Sequence, residues 1–383
     1  MRKLSPFHQQ LPVYSPVTFG SILAGIRGAF GLGSPEVRLR SLLLSEYDCR
    51  ELVLADSGTS ALRMAIEGSI QETGSRIVAL PAFSCFDVAT AAVGAGASIV
   101  LYDICPENLG PDFDSLRLAL EAGAQTVVVA HLYGVPADLD RSMALCAEFD
   151  AILIEDAAQG AAGRWRGRPL GTYGSLGVLS FGRGKGRTGG GGGALIANDE
   201  LGERILAHTV GQLSGRRSGL LELVQLAAQW WFGRPALYGL PAALPWLGLG
   251  ETLYKEPWIP QPMPVAAAAA LLANWKESKV EEGRRIRWNP PSEIAWGQAR
   301  FLEGMPDEAS PGWLRFPLMV EQRDALDRSL RRELGLANGY PTSLAELPAV
   351  AELLLHGQHH AGARLLAKSL VTLPTHRYVK RRC

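Results

Sequence analysis

The feature that most limits what this chain can fold into is a pattern repeated between Glu51 and Asn198. A short aliphatic or β-branched run is followed by a turn with Gly, Ser, Pro or Asp, then by a segment with helical spacing of apolar residues. This pattern is typical of consecutive βαβ units, and strands without polar alternation indicate a sheet covered on both faces. The predicted strands are 52–55, 77–80, 98–102, 126–130, 151–155, 177–181 and 194–197, and the predicted helices are 61–68, 88–94, 114–121 and 138–149.

The remaining sequence predicts helices and a smaller α+β unit. After Glu200 we expect helices, with an apolar insert at 220–249 and a strong helix at 263–287, followed by a Pro-rich link at 289–291. The last part predicts strands at 314–320 and 369–373, helices at 322–334 and 349–355, and a disordered basic tail at 380–382. We therefore expect an α/β fold with a large domain at 1–250, built on a mostly parallel seven-stranded sheet between helices, and a small C-terminal α+β domain at 251–383.

Charge and cysteine usage exclude several classes of protein. Lys plus Arg and Asp plus Glu both number 38, so no net charge attracts the chain to nucleic acid. Five scattered cysteines without a CxxC pair, and no cluster of histidines, predict neither disulfides nor a zinc site and favour a reducing compartment. With an N-terminus that lacks the apolar core of a signal peptide, we expect a cytoplasmic protein. Its expected partners are small molecules or copies of itself.

The apolar insert at 220–249 contains Glu222 and Arg234, and Pro241 and Pro245 interrupt its charge-free part. These residues are incompatible with a transmembrane segment. The insert could instead lie against a membrane surface or a protein partner.

Doubly covered parallel sheets bind ligands at the carboxyl ends of their strands, so the residues after each strand are the candidates for a site. Asp56 to Ser60 follow the first strand and open a helix, where free N–H groups and hydroxyls suit a phosphate. The same residues are also typical of a simple helix N-cap.

Two further strand ends carry charged residues. Glu155 and Asp156 end an apolar run, and a buried carboxylate there needs a cation or a donor. Lys185 lies in a glycine-rich loop after the strand that ends near Ser180. That loop does not fit a P-loop, because the first Gly and the hydroxyl residue of that motif are absent. It does not fit a dinucleotide fingerprint either, because it lacks the glycine spacing and the acidic residue of that motif.

A phosphate site, a buried carboxylate and a loop lysine at successive strand ends suit pyridoxal 5'-phosphate. A lysine can hold its aldehyde as a Schiff base, a carboxylate can keep its ring nitrogen protonated, and a helix N-terminus can bind its phosphate. Taken singly, Lys185 could be a surface lysine and Asp156 a structural cap. Their joint occurrence favours the cofactor.

The sequence resembles the DegT/DnrJ/EryC1/StrS family of fold-type I, pyridoxal-phosphate-dependent aminotransferases. The resemblance is clear over residues 50 to 200 and weaker beyond. It rests on an ordered set of motifs: Ser57 to Leu62, Pro81 to Phe83, Val93 to Ala97 with Asp103 and Ile104, His131 to Gly134, Asp156 to Gln159, Gly171 to Gly174, Ser180 and Phe181, Lys185, and Gly192 to Ala194.

This resemblance implies a role for each matching residue. Lys185 would form the Schiff base and move the proton, and Asp156 would pair with the ring nitrogen. Gln159 would contact the ring hydroxyl, and Ser180, Gly58 and Thr59 would hold the phosphate. Fold-type I enzymes build each site at a subunit interface, so a homodimer is implied as well.

Other positions depart from the family or leave a role open. Where many relatives stack an aromatic ring on the cofactor, this chain has Cys85, with Phe83 and Phe86 as neighbouring candidates. Around Gln261 it lacks an Asn and an Arg that reach the partner subunit's site in relatives. His131 is expected to be a hydrogen-bonded core residue. Arg183 and Arg187 could bind a substrate carboxylate or diphosphate, or remain solvated.

The resemblance predicts an aminotransferase that moves nitrogen from glutamate or glutamine to a keto group. The expected acceptor is a nucleotide-linked deoxysugar for polysaccharide or secondary-metabolite synthesis. Because Lys185 is present, transamination is favoured over the dehydratase chemistry of relatives with histidine there. A pyridoxal-phosphate-dependent sugar dehydratase or lyase, and a catalytically silent regulator or scaffold, remain alternatives.

Overall fold

The computed structural model describes residues 8–211, 213, 215–288, 299–355 and 359–379. The predicted Pro-rich link at 289–291 and the basic tail at 380–382 lie outside these residues. No helix within the described ranges is long and apolar enough to cross a lipid bilayer.

Thirteen strands lie within the described residues. They are β1 Glu51–Ala55, β2 Ile77–Pro81, β3 Ser98–Tyr102, β4 Thr126–Ala130, β5 Ile152–Asp156, β6 Arg164–Trp165, β7 Arg168–Pro169, β8 Leu176–Ser180, β9 Gly193–Ala197, β10 Ala309–Ser310, β11 Phe316–Met319, β12 Ala337–Asn338 and β13 Leu370–Leu373.

Seven of these strands form the central sheet in the order β1-β9-β8-β5-β4-β2-β3. Four neighbouring pairs are parallel, and β9 runs antiparallel to both of its neighbours. The predicted α/β class and the mostly parallel seven-stranded sheet are confirmed. Since β9 alone is reversed, the other six strands end at one edge, where β9 begins.

Helices cover the sheet. The α-helices of the described residues are α1 Phe19–Ala29, α2 Pro35–Tyr47, α3 Gly58–Thr73, α4 Phe86–Gly94, α5 Phe113–Glu121, α6 Leu139–Glu148, α7 Glu200–Val210, α8 Leu220–Phe232, α9 Pro235–Ala242, α10 Val265–Ile286, α11 Arg328–Leu334, α12 Pro348–Ala351 and α13 Ala361–Ser369. Short 3-10 turns occupy Leu132–Gly134, Pro245–Leu247, Arg323–Ala325 and Leu344–Glu346.

The C-terminal part pairs a three-stranded antiparallel sheet, in the order β11-β13-β12, with short helices. The predicted helix at 322–334 is divided into a 3-10 turn and α11. Asp327 is the reason, because its side chain accepts hydrogen bonds from the backbone N–H groups of Ser329 and Leu330. Such an N-cap begins a new helix at that point.

The long helix α10 packs on the N-terminal part of the chain. Its residues Ala267, Ala268 and Leu271 share one buried cluster with Leu39 and Leu43 of α2. Packing of this kind holds α10 beside the central sheet. The division into domains at residue 250 stays a prediction.

Candidate active site

A cavity that opens to solvent lies at the edge of the sheet where the parallel strands end. The six predicted site residues all line it: Gly58, Thr59, Asp156, Gln159, Ser180 and Lys185. Sequence reasoning placed them after three separate strands, and the sheet order brings these strand ends together. Further lining residues include His131, Cys85, Asp87 and Tyr340.

The N-terminus of α3 forms one wall of the cavity. Ser57 is its N-cap, and the Ser57 hydroxyl accepts a hydrogen bond from the N–H of Ser60 at 3.0 Å. The N–H groups of Gly58 and Thr59 belong to the first turn, where no intrahelical acceptor exists. Ser57 also pairs with Gly192 in an isolated parallel bridge, which engages the N–H of Gly58. The N–H of Thr59 and the helix dipole make this end of the cavity attractive to an anion.

Ser180 stands against this helix end because of the strand register. It lies opposite Gly193 of β9, which in turn lies opposite Ala55 of β1. A Cβ atom added to Gly58 would lie 2.7 Å from the Cβ of Ser180. Only a glycine at position 58 therefore allows Ser180 to lie so close to the N-terminus of α3.

Asp156 ends β5 and points its carboxylate into the cavity. One oxygen, Oδ1, accepts a hydrogen bond from the backbone N–H of Ala158 at 3.0 Å. Burial raises the pKa of Asp156, while the positive charge of Lys185 and the hydrogen bond from Ala158 oppose that rise. A cation bound beside this carboxylate would relieve the cost of keeping it charged.

Lys185 lies in the loop between β8 and β9. The glycines on either side of it, Gly184 and Gly186, have φ angles of +78° and +85°, a region that side chains with a Cβ avoid. Glycine at these positions permits the turn that carries the lysine to the cavity. Among the described residues, the Lys185 amine has no recorded ion pair or hydrogen bond.

Gln159 is held at both ends of its side chain. Its Oε1 accepts a hydrogen bond from the backbone N–H of Tyr133 at 2.9 Å, and its Nε2 donates one to the hydroxyl of Tyr340 at 2.7 Å. Tyr340 comes from the C-terminal part of the chain, and no local sequence pattern marks it. Its ring packs against the rings of Phe83 and Tyr133.

His131 is a buried, hydrogen-bonded residue, as expected, and it also lines the cavity. Its Nδ1 accepts a hydrogen bond from the N–H of Ala137, so Nε2 carries the proton and donates to Glu155 at 3.0 Å. The carboxylate of Glu155 also accepts hydrogen bonds from the N–H groups of Gly171 and Gly174. This network fixes the strand end that carries Asp156.

Of the three candidates for a residue on the cofactor face, only Cys85 lines the cavity. Phe83 is fully buried, and its ring lies 5.1 Å from that of Tyr340. Phe86 belongs to the buried core. Burial and the nearby charge of Asp87 raise the pKa of the Cys85 thiol to about 12, so it is neutral at physiological pH.

Arg187 fits neither expectation for it. Its guanidinium is fully buried and makes two hydrogen bonds to the carboxylate of Glu282 on α10. It therefore ties the lysine loop to α10. Arg183 is exposed. The segment around Gln261 lies beside the helix end, since the N–H of Asp56 donates to the carbonyl oxygen of Gln261 at 2.8 Å.

Comparison with known proteins agrees with the sequence motifs. Residues 44–216 match the family model described as the DegT/DnrJ/EryC1/StrS aminotransferase family, which confirms the predicted family resemblance. The chain is 32% identical over 202 residues to an L-glutamine:2-deoxy-scyllo-inosose aminotransferase of Streptomyces kanamyceticus, covering 51% of this chain and 47% of that protein. It is 30% identical over 188 residues to a dTDP-4-dehydro-2,3,6-trideoxy-D-glucose 4-aminotransferase of Saccharopolyspora spinosa, covering 48% of this chain and 47% of that protein.

These matches span about half the length of the curated relatives. The fold is shared over a longer range. A structure of Spr1654 from Streptococcus pneumoniae in its PMP form superposes with a TM-score of 0.73, at 16% identity, over 99% of this chain and 94% of that one. The chain therefore shares the fold of this structure over nearly its whole length.

Proposed function

We propose that this chain is a pyridoxal-phosphate-dependent aminotransferase that moves an amino group from glutamine or glutamate to a keto group on a sugar-like ring. The observation that carries the proposal is the convergence of Lys185, Asp156 and the α3 N-terminus on one cavity. The family match and the names of the two curated relatives support it.

The residues present fit the cofactor. The N-terminus of α3, with the hydroxyl of Ser180, offers donors for a phosphate, and Gly58 leaves the space that a side chain would fill. Asp156 is a carboxylate whose burial raises its pKa, and a protonated ring nitrogen would balance its charge. When bound, pyridoxal phosphate supplies an aldehyde that reacts with amines and a ring that accepts electrons.

Each of these residues then has a defined role. Lys185 attaches the cofactor through Nζ, and later takes and returns a proton at that same nitrogen. Asp156 holds a proton at the ring nitrogen, which keeps the ring an electron acceptor. Gln159 has a second N–H that Tyr340 does not use, and this donor is available to the ring hydroxyl. Gly58, Thr59 and Ser180 hold the phosphate.

The acceptor that we propose carries its keto group on a hydroxylated six-membered ring. One curated relative is named for an inosose and the other for a dTDP-linked deoxysugar. Within this class we propose a nucleotide-linked deoxysugar, with the inosose as the ketone to test beside it. The homodimer, the cytoplasmic location and a role in polysaccharide or secondary-metabolite synthesis stay predictions.

The experiment that tests the proposal is an absorbance spectrum of the purified protein with pyridoxal phosphate, before and after glutamine or glutamate is added. We expect a band near roughly 410–420 nm that shifts to about 330 nm as the donor passes its nitrogen to the cofactor. Borohydride reduction followed by peptide mass spectrometry should find the cofactor on Lys185.

Two lysine variants sharpen this test. Lys185→Ala should abolish both the band and the reduced adduct, whereas Lys255→Ala, which removes an exposed lysine, should leave both unchanged. A reduced adduct that persists in Lys185→Ala would refute the assignment of the lysine. A protein that binds the cofactor but is never converted by either donor would refute the aminotransferase and favour a silent relative.

A further inference from the structure

Two helices from distant parts of the sequence lie side by side on the long helix α10. Ile22 of α1, Leu226 of α8 and Ala270 of α10 form one buried cluster. At the end of this contact, the rings of Phe19 and Trp230 are 5.9 Å apart. The sides of α1 and α8 that face α10 are therefore filled, and their opposite sides face outward.

The outward sides of both helices are apolar. On α1 the exposed residues follow one helical stripe, and on α8 they follow another. We call these residues the apolar face, and they are Phe19, Leu23, Ile26, Leu220, Leu221, Val224 and Trp231. Their relative exposures run from 39% for Ile26 to 66% for Val224. Apolar side chains this exposed on two adjacent helices mark an interaction surface.

The same two stretches of chain are positively charged. Residues 17–38 and 215–236 contain five arginines and two glutamates, in a chain whose formal net charge is zero. Both glutamates are already paired, Glu36 with Arg216 at 3.2 Å and Glu222 with Arg217 at 3.8 Å. Arg27 and Arg234 are exposed. The surroundings of the apolar face thus favour a negatively charged partner.

We propose that the apolar face docks the protein onto an anionic lipid surface, with α1 and α8 lying in the plane of the membrane interface. An apolar helix face bordered by arginines, with tryptophans at its edge, has the chemistry of interfacial membrane helices. Trp231 lies on the face itself, and Trp246, just beyond α9, has 77% of its surface exposed.

A second copy of the chain is the other candidate occupant, and the charge argues against it. A two-fold interface places the same patch of both subunits face to face. Docking the apolar face on itself would bring the exposed Arg27 and Arg234 of one copy toward those of the other. Glu36 and Glu222 are already paired with other arginines. Like charges across an interface repel. An anionic membrane balances these charges instead.

The test is flotation of the full chain with two kinds of vesicle, one of phosphatidylcholine alone and one of equal parts phosphatidylglycerol and phosphatidylcholine. We expect binding to the anionic vesicles, weakened by high salt, and little binding to the neutral ones. Brominated lipids should quench the tryptophan fluorescence of the unmodified protein when it binds, because Trp231 on the apolar face then contacts the acyl chains.

Variants connect the binding to the apolar face. Leu221→Ser combined with Val224→Ser should lower partitioning at least about tenfold, because both side chains lose their burial in lipid. Arg27→Gln should lower it about fivefold on anionic vesicles only. Leu118→Ser is the matched control, since Leu118 is an exposed leucine on α5, and it should bind as the unmodified protein does.

Three results would overturn the proposal: no binding to either vesicle, binding that the Leu221 and Val224 changes leave intact, or binding without quenching by brominated lipids. A fourth result against the proposal could come from light scattering. If the Leu221 and Val224 changes convert a dimer into a monomer, a second copy covers the face and the lipid proposal fails. Quenching of the unmodified protein decides the question even if a variant folds poorly.

Discussion

Gln159 and Tyr340 connect the cavity to the C-terminal part of the chain through a hydrogen bond of 2.7 Å from Nε2 to the tyrosine hydroxyl. The opposite end of the amide is fixed by the backbone N–H of Tyr133. Because the amide has two N–H donors, one remains for a ligand, and Tyr340 determines where it points. Tyr340 is thus a positioning residue for Gln159.

Tyr340→Phe should lower the rate of amino transfer up to about tenfold, because it removes an acceptor worth about 0.5–1.5 kcal/mol and frees the Gln159 amide to turn. The loss should fall mainly on kcat and should change the position of the bound-cofactor band. Steady-state kinetics and absorbance check both.

Tyr133→Phe is the control for that change. The hydroxyl of Tyr133 is buried and makes no hydrogen bond to Gln159, which is held by the backbone N–H of Tyr133, and its ring also packs on Tyr340. Its loss should leave kcat and the cofactor band unchanged. Equal losses in both variants would show that ring packing, and not the hydrogen bond to Gln159, is what matters.

Gly58→Ala should weaken cofactor binding about tenfold or more, because the new Cβ would meet the Cβ of Ser180 at 2.7 Å and force the two apart. Gly182→Ala is the matched control, since a Cβ there lies 3.8 Å from the Ser180 hydroxyl, an ordinary contact. Titration with pyridoxal phosphate measures both affinities. Unchanged affinity in Gly58→Ala would contradict the phosphate site.

Arg187→Met should lower the free energy of unfolding by about 3–5 kcal/mol, because it leaves the carboxylate of Glu282 buried with less compensation. Urea denaturation measures this loss. The double variant Arg187→Met with Glu282→Leu should recover much of it, since apolar side chains then replace both members of the buried pair. A double variant that is less stable than the single one would contradict this account.

The central sheet could be predicted closely because each strand is a short apolar run with a turn signal after it. β4 is an example, since all five of its residues are buried and its predicted bounds are those observed. The six predicted site residues could be found for the same reason, because each lies at the end of such a strand or follows one. Their roles stay predictions, whereas their position around one cavity is a fact of the fold.

Other parts carried no local signal. Tyr340 reaches the cavity only through tertiary packing against Phe83 and Tyr133. Helix α1 was missed because it contains three glycines, which disfavour helices. Two of them are needed for packing: a Cβ on Gly28 would lie 2.9 Å from the Cβ of Ala269, and one on Gly25 would lie 3.2 Å from the carbonyl oxygen of Ala266. Close contact with α10 thus outweighs helix propensity.

His376 should make the stability of the protein fall in mild acid. Its Nε2 donates to the carbonyl oxygen of Leu11 at 3.0 Å, and its Nδ1 accepts from the N–H of Tyr378, so both nitrogens are used by the neutral ring. Burial lowers the pKa of His376 from 6.5 to about 4. The charges of Arg285 and Arg377 add to this, while the hydrogen bond to Leu11 and the charge of Glu281 oppose it.

The unfolded chain binds a proton at this histidine below about pH 6.5, whereas the folded chain does so only near pH 4. The stabilisation by the neutral ring is therefore present above pH 6.5 and is lost as the pH falls toward 4. The whole effect amounts to about 3 kcal/mol. Urea unfolding of the unmodified protein and of His376→Gln should be measured at about pH 7.5 and at about pH 4.5. The difference between the two proteins in free energy of unfolding should shrink by about 2–3 kcal/mol between these two pH values. Parallel behaviour of the two proteins would mean that His376 is already charged, or not buried, in the folded state.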